Sequence, residues 1–324
     1  MKTIAALPDG YTVRPAEPAD AEALFDMLAA YNTAVVGFAD TTLQEVAYCI
    51  DRPGFDRTID GWLVLAADGL PAGYATTLGT GDRRQIDIEV AAKDPEVAGW
   101  LVDRTTQRAQ EMGRERGHAE VTVDAFVCRT DEPLRAQLSD HGFTTGTSYH
   151  RMRIDHTGPA ATPAVSPDGP VGVVVRRGAF DDATRWAAHE VINECFRGQF
   201  GWVETPHEAW LEANDDLPIF EWAQLTLLEV DGRAVAVRVC SDKYVETENC
   251  GYIGILGVVE EFRGRGLAKF LLHDAFALDA AIGRAGTILH VDTNNPTPAL
   301  GLYLSVGMNA TVVFDGWRRV VPVA

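Results

Sequence analysis

Basic residues are scarce in this sequence. Lysine and arginine together number 28 against 47 aspartate and glutamate residues, which gives a formal net charge of −19. A chain this acidic repels phosphate backbones, so we expect no nucleic acid partner. The acidity either favours a cationic substrate such as an amine or serves solubility alone, and the charge by itself does not separate these two interpretations.

Long apolar runs are also missing. No segment approaches the ~20 consecutive apolar residues that a membrane-spanning helix needs, so we expect no membrane association. The apolar patch in the opening MKTIAALPDGYTVRP is shorter than a secretory signal. We therefore expect a cytoplasmic protein.

Cysteine is sparse and scattered. The five cysteines show neither CxxC spacing nor a disulfide framework, so we expect reduced thiols that lie mostly in the core. No cysteine and histidine residues pair closely enough to suggest zinc, and we expect no metal.

The chain reads as two similar halves. Its 324 residues, 46% of them apolar, suit two domains that each bury a core. The segment DHTGPAATPAVSPDGP, at 155–170, is rich in Pro, Gly, Ala, Ser and Thr and predicts a linker at 156–170 between domains at 1–155 and 171–324. Each half reads as a strand, a helix, two strands joined through Asp-Gly, then alternating strands and helices. This order indicates an α/β fold with a mixed sheet, present in two copies.

A glycine-rich turn follows a buried strand in the second half. In GVVEEFRGRGLAKFLL, at 257–272, an apolar strand leads through EEFRGRG into an amphipathic helix. Glycines allow backbone N–H groups to converge, and a helix N-terminus adds partial positive charge, so the turn suits a phosphate or pyrophosphate. The sequence has neither the GxxxxGK[ST] of a P-loop nor a complete dinucleotide fingerprint. A tight turn with no ligand stays open as the structural alternative.

Two spacings resemble the GNAT acyltransferase superfamily. VVEEFRGRGLAKFLL is similar to the family's R-x-x-G-x-A motif, through Arg263, Gly266 and Ala268. VDTNNPTPALGLYLSVGM is similar to its second motif, in which Asn295 and Tyr303 stand in the expected order. The resemblance covers about 171–320 and implies a mixed sheet that is splayed to admit acyl-coenzyme A.

The resemblance also implies where the co-substrate, acetyl-CoA or another acyl-CoA, would bind. The pyrophosphate would lie on the amides from Gly264 to Ala268, and the pantetheine arm would pair along the preceding strand like an extra strand. Asn295 either bonds the pantetheine amides or caps a helix. The implied set of cofactor-binding residues is Leu256, Val258, Arg263, Gly264, Arg265, Gly266, Leu267, Ala268 and Asn295.

Acyl transfer from a thioester to an amine requires a neutral amine, a donor to the developing oxyanion and an acid for the leaving thiolate. The backbone N–H of Val258 can serve the thioester oxygen, and the second motif places Tyr303 to protonate the sulfur. The alternative for Tyr303 is a core aromatic residue.

The base is open. Tyr252, Asp242 and His290 are candidates, and a packed histidine is the alternative for His290. Glu246 and Glu248 are weaker ones because we expect them in a solvated turn, and water alone would suffice for a small amine.

The segment FRGQFGWVETPHEAWLEAN, at 196–214, is expected to cover the acceptor in this fold. Trp202 and Glu204, with Phe200 and Trp210, suit an amine with apolar bulk, and ordinary packing is the alternative. Tyr252 is a further candidate for acceptor binding.

The first half resembles a degenerate copy of the same domain. At the corresponding place it reads IEVAAKDPEVAGW, in which Asp94, Pro95 and Glu96 replace the glycine-rich turn. We therefore expect it to have lost the coenzyme site. The arrangement resembles the mycothiol synthase-like actinobacterial acetyltransferases, except that Tyr252 stands where those enzymes carry a glutamate.

Two functions follow. The first is an acyl-CoA-dependent N-acyltransferase, in which a small-molecule amine attacks acetyl-CoA directly, in a monomer or homodimer. The alternative is a non-catalytic acyl-CoA-binding sensor or scaffold. The acceptor and the length of the acyl chain stay open.

Overall fold

Strands and helices alternate along the whole chain. The computed structural model describes residues 6–79, 81–156, 169–197, 202, 204–217, 219–294 and 299–323. The predicted linker lies almost entirely outside these residues. The elements, in chain order, are β1 (Thr12–Arg14), α1 (Ala21–Val36), α2 (Leu43–Ile50), α3 (Arg57–Asp60), β2 (Gly61–Leu65), β3 (Pro71–Leu78), β4 (Gln85–Ala92), α4 (Pro95–Glu115), β5 (Glu120–Cys128), α5 (Glu132–Asp140), β6 (Thr144–Asp155), β7 (Val173–Arg177), α6 (Asp182–Phe196), α7 (His207–Asp215), β8 (Leu225–Val230), β9 (Arg233–Ser241), α8 (Val245–Glu248), β10 (Cys250–Val258), α9 (Leu267–Ala281), β11 (Gly286–Asp292), α10 (Ala299–Ser305) and β12 (Asn309–Pro322).

The first compact unit contains the residues up to Tyr149 and those from Val312 onward. Its strands lie in the order β1-β2-β3-β4-β5-β12. Strands β4 and β5 are parallel and joined by the crossover helix α4, whereas the other neighbours are antiparallel. The parallel pairing of β4 and β5 covers three residues of each strand, from Gln85 to Asp87 on β4.

The second compact unit spans His150 to Thr311. Its strands lie in the order β11-β10-β9-β8-β7, with the second half of β6 beside β11. Strands β10 and β11 are parallel and joined by the crossover helix α9, and β7 to β10 are antiparallel. The second unit therefore repeats the β-α-β arrangement of the first, and the predicted mixed α/β fold of two similar units is confirmed.

Apolar spacing explains how α9 packs on its sheet. Its buried residues recur three and four positions apart, which places them on one face of the helix. Leu272 and Phe276 pack with Ile253 of β10 and Leu289 of β11, whereas Leu267 and Leu271 pack with residues of β8 and β9. The helix is thereby fixed over the junction of the two parallel strands.

The last strand joins the first unit. The sequence pattern assigns the closing strand to the second domain, at 171–324, but β12 pairs with β5 along nine residues, from Phe314 to Pro322. Packing thus groups the residues from Val312 onward with the first unit, and those of β6 from His150 onward with the second. The domain limits proposed from the repeat, 1–155 and 171–324, stay a prediction. In the described ranges, no helix combines the length and apolar character needed to cross a membrane.

Candidate functional site

Strands β10 and β11 pair at one end and then separate. Their parallel pairing runs from Cys250 to Ile253 on β10 and ends there, although β10 continues to Val258 along β9. The register with β9 shifts between Ile253 and Ile255, so Gly254 is the extra residue of a β-bulge. Gly254 is exposed, and the end of the β11 pairing at Ile253 shows that the sheet opens at this point. We call this opening the fork.

The edge of β10 beyond the fork presents backbone groups that β9 does not use. The N–H of Val259 donates to the carbonyl of Val235 over 2.9 Å, so Val259 points its backbone groups toward β9. Successive residues of a strand point to opposite edges, so Val258 and Leu256 point away from β9. The side chain of Arg263 supports this assignment, since its Nε donates to the carbonyl of Val258 over 3.1 Å.

The glycine turn leads directly from this edge into α9. Gly264 and Gly266 have φ of 75° and 79°, a left-handed conformation that glycine adopts without the strain of a side chain. A Cβ added at either position would meet no heavy atom within 4 Å, so space surrounds the turn. Gly266 is the N-cap of α9 and supplies no side-chain cap, so the first amides of the 15-residue helix have no capping oxygen.

The residues around the turn have different roles. Leu267 is buried and anchors the helix, Ala268 is half-buried, and Arg263 and Arg265 are exposed. The guanidinium of Arg265 lies 4.6 Å from the centre of the Phe262 ring. The turn therefore combines uncapped backbone amides, the partial positive charge of the helix end and two exposed arginine side chains. Together these features suit a diphosphate. Asn295 lies outside the described residues.

The corresponding helix end in the first unit is filled by the protein itself. The Oδ1 of Asp94 accepts from the backbone N–H groups of Glu96 and Val97, at 2.8 and 3.4 Å. The other oxygen of Asp94 accepts from the hydroxyl of Tyr11 over 2.9 Å. A carboxylate of the protein thus caps this helix end and uses its first amides.

Tyr303 lies on α10 with 7% of its surface exposed. It belongs to the apolar cluster that contains Ile253 and Leu289, the last paired residues of the fork, and Leu256 packs against the same cluster. Burial raises the pKa of Tyr303 to about 12. The phenol is therefore neutral and carries its proton across the physiological range.

Tyr252 and His290 lie on the two strands at the fork. The Tyr252 hydroxyl is 3.2 Å from Nδ1 of His290. Burial, followed by the charges of Lys243 and Arg151, lowers the pKa of His290 to about 3. His290 is therefore neutral at neutral pH, and Nδ1 accepts from Tyr252 when the ring proton is on Nε2.

Tyr244 and Lys243, which the sequence pattern did not identify, lie beside Tyr252. The Tyr244 ring packs edge-on against Tyr252, with centroids 5.3 Å apart. The ammonium of Lys243 lies 5.4 Å from the Tyr244 centroid and 5.9 Å from the Tyr252 centroid. Both residues precede β10 in a short connection, and the only signal in the sequence is their closeness to Tyr252.

Two of the carboxylates considered as bases are engaged elsewhere. Glu248 was expected in a solvated turn, but that expectation was wrong, because its side chain is only 12% exposed and accepts from Arg151 and Arg153. Residues 245–248 form a short helix that turns Glu248 inward. Asp242 accepts from Gln224 over 2.9 Å. Glu246 is exposed.

The structure places Trp202 against the helical side of the second unit. Its ring lies 5.1 Å from that of Phe196, and both pack on the cluster that Ile255 of β10 also contacts. The Trp202 Nε1 is buried without a hydrogen-bond partner among the described residues. Glu204 is exposed and lies 3.9 Å from Arg197. Phe200 lies outside the described residues.

Trp210 packs inside an aromatic group on α6 and α7. Its ring centroid is 5.1 Å from His189 and 5.3 Å from Trp222. These contacts agree with the packing alternative for Trp210. In the parts of the chain that the structure covers, no three His, Cys, Asp or Glu side chains are grouped to hold a metal ion.

Comparison with known proteins finds a family similarity over part of the chain. Residues 186–308 match the model of the Acetyltransferase (GNAT) family. Among solved structures, a GCN5-related N-acetyltransferase from Sphaerobacter thermophilus is 25% identical with a TM-score of 0.79, and the match covers 98% of each chain. No curated protein matches the chain.

Two further structures share the fold at lower identity. A tandem GNAT protein from the clavulanic acid biosynthesis pathway is 16% identical with a TM-score of 0.69, over 97% of this chain and 99% of that one. A glucosamine N-acetyltransferase region of a fungal multi-domain GH3 beta-N-acetylglucosaminidase is 15% identical with a TM-score of 0.64, over 96% of this chain and 38% of that one. The predicted tandem arrangement of GNAT-like units is confirmed.

Proposed function

We propose, from the premise that residues 186–308 form a domain of the GNAT acetyltransferase family, that this protein transfers the acetyl group of acetyl-CoA to the primary amine of a small metabolite. GNAT acetyltransferases use acetyl-CoA as the acyl donor. The observation that carries the proposal is the uncapped N-terminus of α9, which directly follows a strand edge opened by the fork.

The coenzyme fits this site in one direction. The diphosphate lies on the amides from Gly264 to Ala268, where helix polarity and two arginines favour negative charge. The pantetheine arm then runs along β10 and pairs with Val258 and Leu256, whose backbone groups face the open edge. This path leads the thioester toward the fork and toward Tyr303.

The backbone donors along this path have different roles. The Val258 carbonyl is held by Arg263 at the diphosphate end of the edge, which places the Val258 N–H against the pantetheine arm. Leu256 is closer to the fork, and it packs against the cluster that contains Tyr303. We therefore assign the thioester oxygen to the Leu256 N–H in place of the Val258 N–H expected from the sequence.

The amine attacks the thioester carbon directly. The new C–N bond forms, the C–S bond breaks, the nitrogen loses one proton and the sulfur gains one. Tyr303, which carries its proton at neutral pH, supplies that proton to the thiolate as the sulfur leaves. Tyr303 regains a proton from solvent before the next turnover.

Tyr252 positions the nucleophile. Its hydroxyl donates to neutral His290, so its oxygen lone pairs accept from the N–H of the attacking amine. The low pKa of His290 makes it a poor acceptor for the proton of an alkylammonium. That proton therefore passes to water at the exposed fork. Trp202 and Glu204 are proposed to contact the remainder of the acceptor.

The test measures the release of free coenzyme A by chromatography, with the full chain, acetyl-CoA and a panel of primary amines. We expect release above the rate of spontaneous hydrolysis for some amines, together with stoichiometric N-acetylated product. Tight binding of acetyl-CoA without any transfer would contradict the enzyme and favour the sensor or scaffold. Failure to bind acetyl-CoA would contradict the proposed site.

A further inference from the structure

The environment of Lys243 is unusual for so acidic a chain. Lys243 is half-buried between β9 and α8, and its ammonium lies over the rings of Tyr244 and Tyr252. Among the described residues, no carboxylate lies within ion-pair distance of this ammonium, although acids outnumber basic residues by 47 to 28. Aromatic rings attract a cation but do not neutralise it.

The nearby acids are directed to other cations. Glu248 accepts from both Arg151 and Arg153. Asp242 accepts from Gln224 and lies 3.4 Å from Arg284. The guanidinium of Arg151 lies over the same Tyr244 ring, 4.8 Å from its centre, but has the Glu248 carboxylate beside it. The fold therefore places a carboxylate beside Arg151 and none within ion-pair distance of Lys243 among the described residues.

The charge of Lys243 acts at the proposed reaction centre. Lys243 lies 5.9 Å from the Tyr252 ring, and Tyr252 reaches His290 across the fork. After burial, Lys243 is the next cause of the lowered pKa of His290, so its field is felt at the imidazole. An anion beside Lys243 would thus lie one aromatic side chain away from the attacking nitrogen.

We propose that Lys243 binds a carboxylate of the acceptor, so that the substrates of this enzyme are amino acids or other small amines that also carry a carboxylate. This inference rests on the proposed acetyl transfer. A single ammonium over two rings suits a monoanionic carboxylate, whereas a phosphate dianion generally recruits the forked donors of arginine. Between two amines of equal reactivity, Lys243 accordingly favours the one that carries a carboxylate.

The test compares matched acceptors in the coenzyme A release assay. The probes are the common amino acids and ω-amino acids, each paired with its own carboxamide, which has the same amine and shape but no negative charge. With the unaltered chain, we expect the carboxylate member of the best pair to exceed its amide by about tenfold or more in kcat/KM, the scale of one charge-assisted contact.

Substitution of the lysine separates charge recognition from general damage. In Lys243→Met, the kcat/KM for the carboxylate should fall by about tenfold or more while that for the amide stays within about twofold. Lys243→Glu should prefer the amide. The matched control is Lys93→Met, an exposed lysine of the first unit, which should leave both values unchanged.

Two results would overturn the inference. One is an amide that reacts as fast as its acid in the unaltered chain, and the other is an equal loss for both probes in Lys243→Met. If the chain binds acetyl-CoA but acetylates none of the carboxylate-bearing amines in the panel, the carboxylate inference fails and the coenzyme site stands. If the chain does not bind acetyl-CoA, the proposed function itself fails.

Discussion

Replacement of Gly266 by aspartate should place a carboxylate at the N-terminus of α9, as Asp94 does at the N-terminus of α4. In α4, the carboxylate of Asp94 accepts from two first-turn amides and occupies the helix end. In α9, Gly266 supplies no side-chain cap at that position. Gly266→Asp would bring a negative charge to the amides on which the coenzyme diphosphate is proposed to lie.

The magnitude follows from the electrostatics of the turn. Two like charges about 5 Å apart repel by about 3 kcal/mol at the effective dielectric of a protein surface, so acetyl-CoA should bind at least ~100-fold more weakly. The left-handed φ of 79° at Gly266 adds about 1 kcal/mol of strain to the folded state, since an added Cβ meets no neighbour that would increase the cost.

Gly266→Asn is the matched control. Asparagine has the same size and the same backbone strain as aspartate but carries no charge, so the difference between the two variants isolates the electrostatic effect. Calorimetric titration with acetyl-CoA should give a Kd for the asparagine variant that lies much closer to the unaltered chain. Equal affinities for the two variants, within about threefold, would refute a diphosphate on this turn.

Three further predictions test other parts of the site and fold. Tyr303→Phe should leave acetyl-CoA affinity nearly unchanged and lower kcat by ~100-fold or more with any accepted amine, and an unaltered kcat would mean that Tyr303 only packs. Asp274→Ala should lower the free energy of unfolding by about 3–5 kcal/mol in urea titrations, because Asp274 is the buried counter-charge of Arg177 and Arg238; a loss below about 1 kcal/mol would contradict this. The neutral state of His290 stabilises the fold fully above pH 6.5, and this contribution declines as the pH falls toward its pKa of about 3. When the pH is lowered from 7 to 5, the free energy of unfolding should therefore fall by about 2 kcal/mol less in His290→Gln than in the unaltered chain. Equal decreases in the two proteins would argue against a buried neutral imidazole.

The glycine turn before α9 could be predicted from sequence because its cause is local. Gly264 and Gly266 stand where the backbone takes a positive φ, and the apolar spacing after them fixes a helix. The loss of the same turn in the first half is also local, since Asp94 reaches amides only two and three residues away. Short-range geometry of this kind is encoded within a few consecutive residues.

The contacts around the proposed acceptor site could not be predicted in the same way. Glu248 meets Arg151, 97 residues earlier, and only the path of the connecting chain brings them together. Lys243 and Tyr244 contact Tyr252 from the connection between β9 and β10, which also carries Glu248.

The last strand illustrates the same limit at a larger scale. Arg318 on β12 pairs with Asp124 on β5, 194 residues apart, within the first unit. A repeat in the sequence indicates that a strand exists, but it does not determine which sheet edge the strand joins.

The most direct test of the account counts the acetyl-CoA molecules bound to each chain. Native mass spectrometry of the full chain with acetyl-CoA in excess should show one bound molecule per chain, because one helix end is open and the other is capped by Asp94. The bound form should disappear in Gly266→Asp. Two molecules per chain, or one that persists in Gly266→Asp, would contradict a single coenzyme site in the second unit.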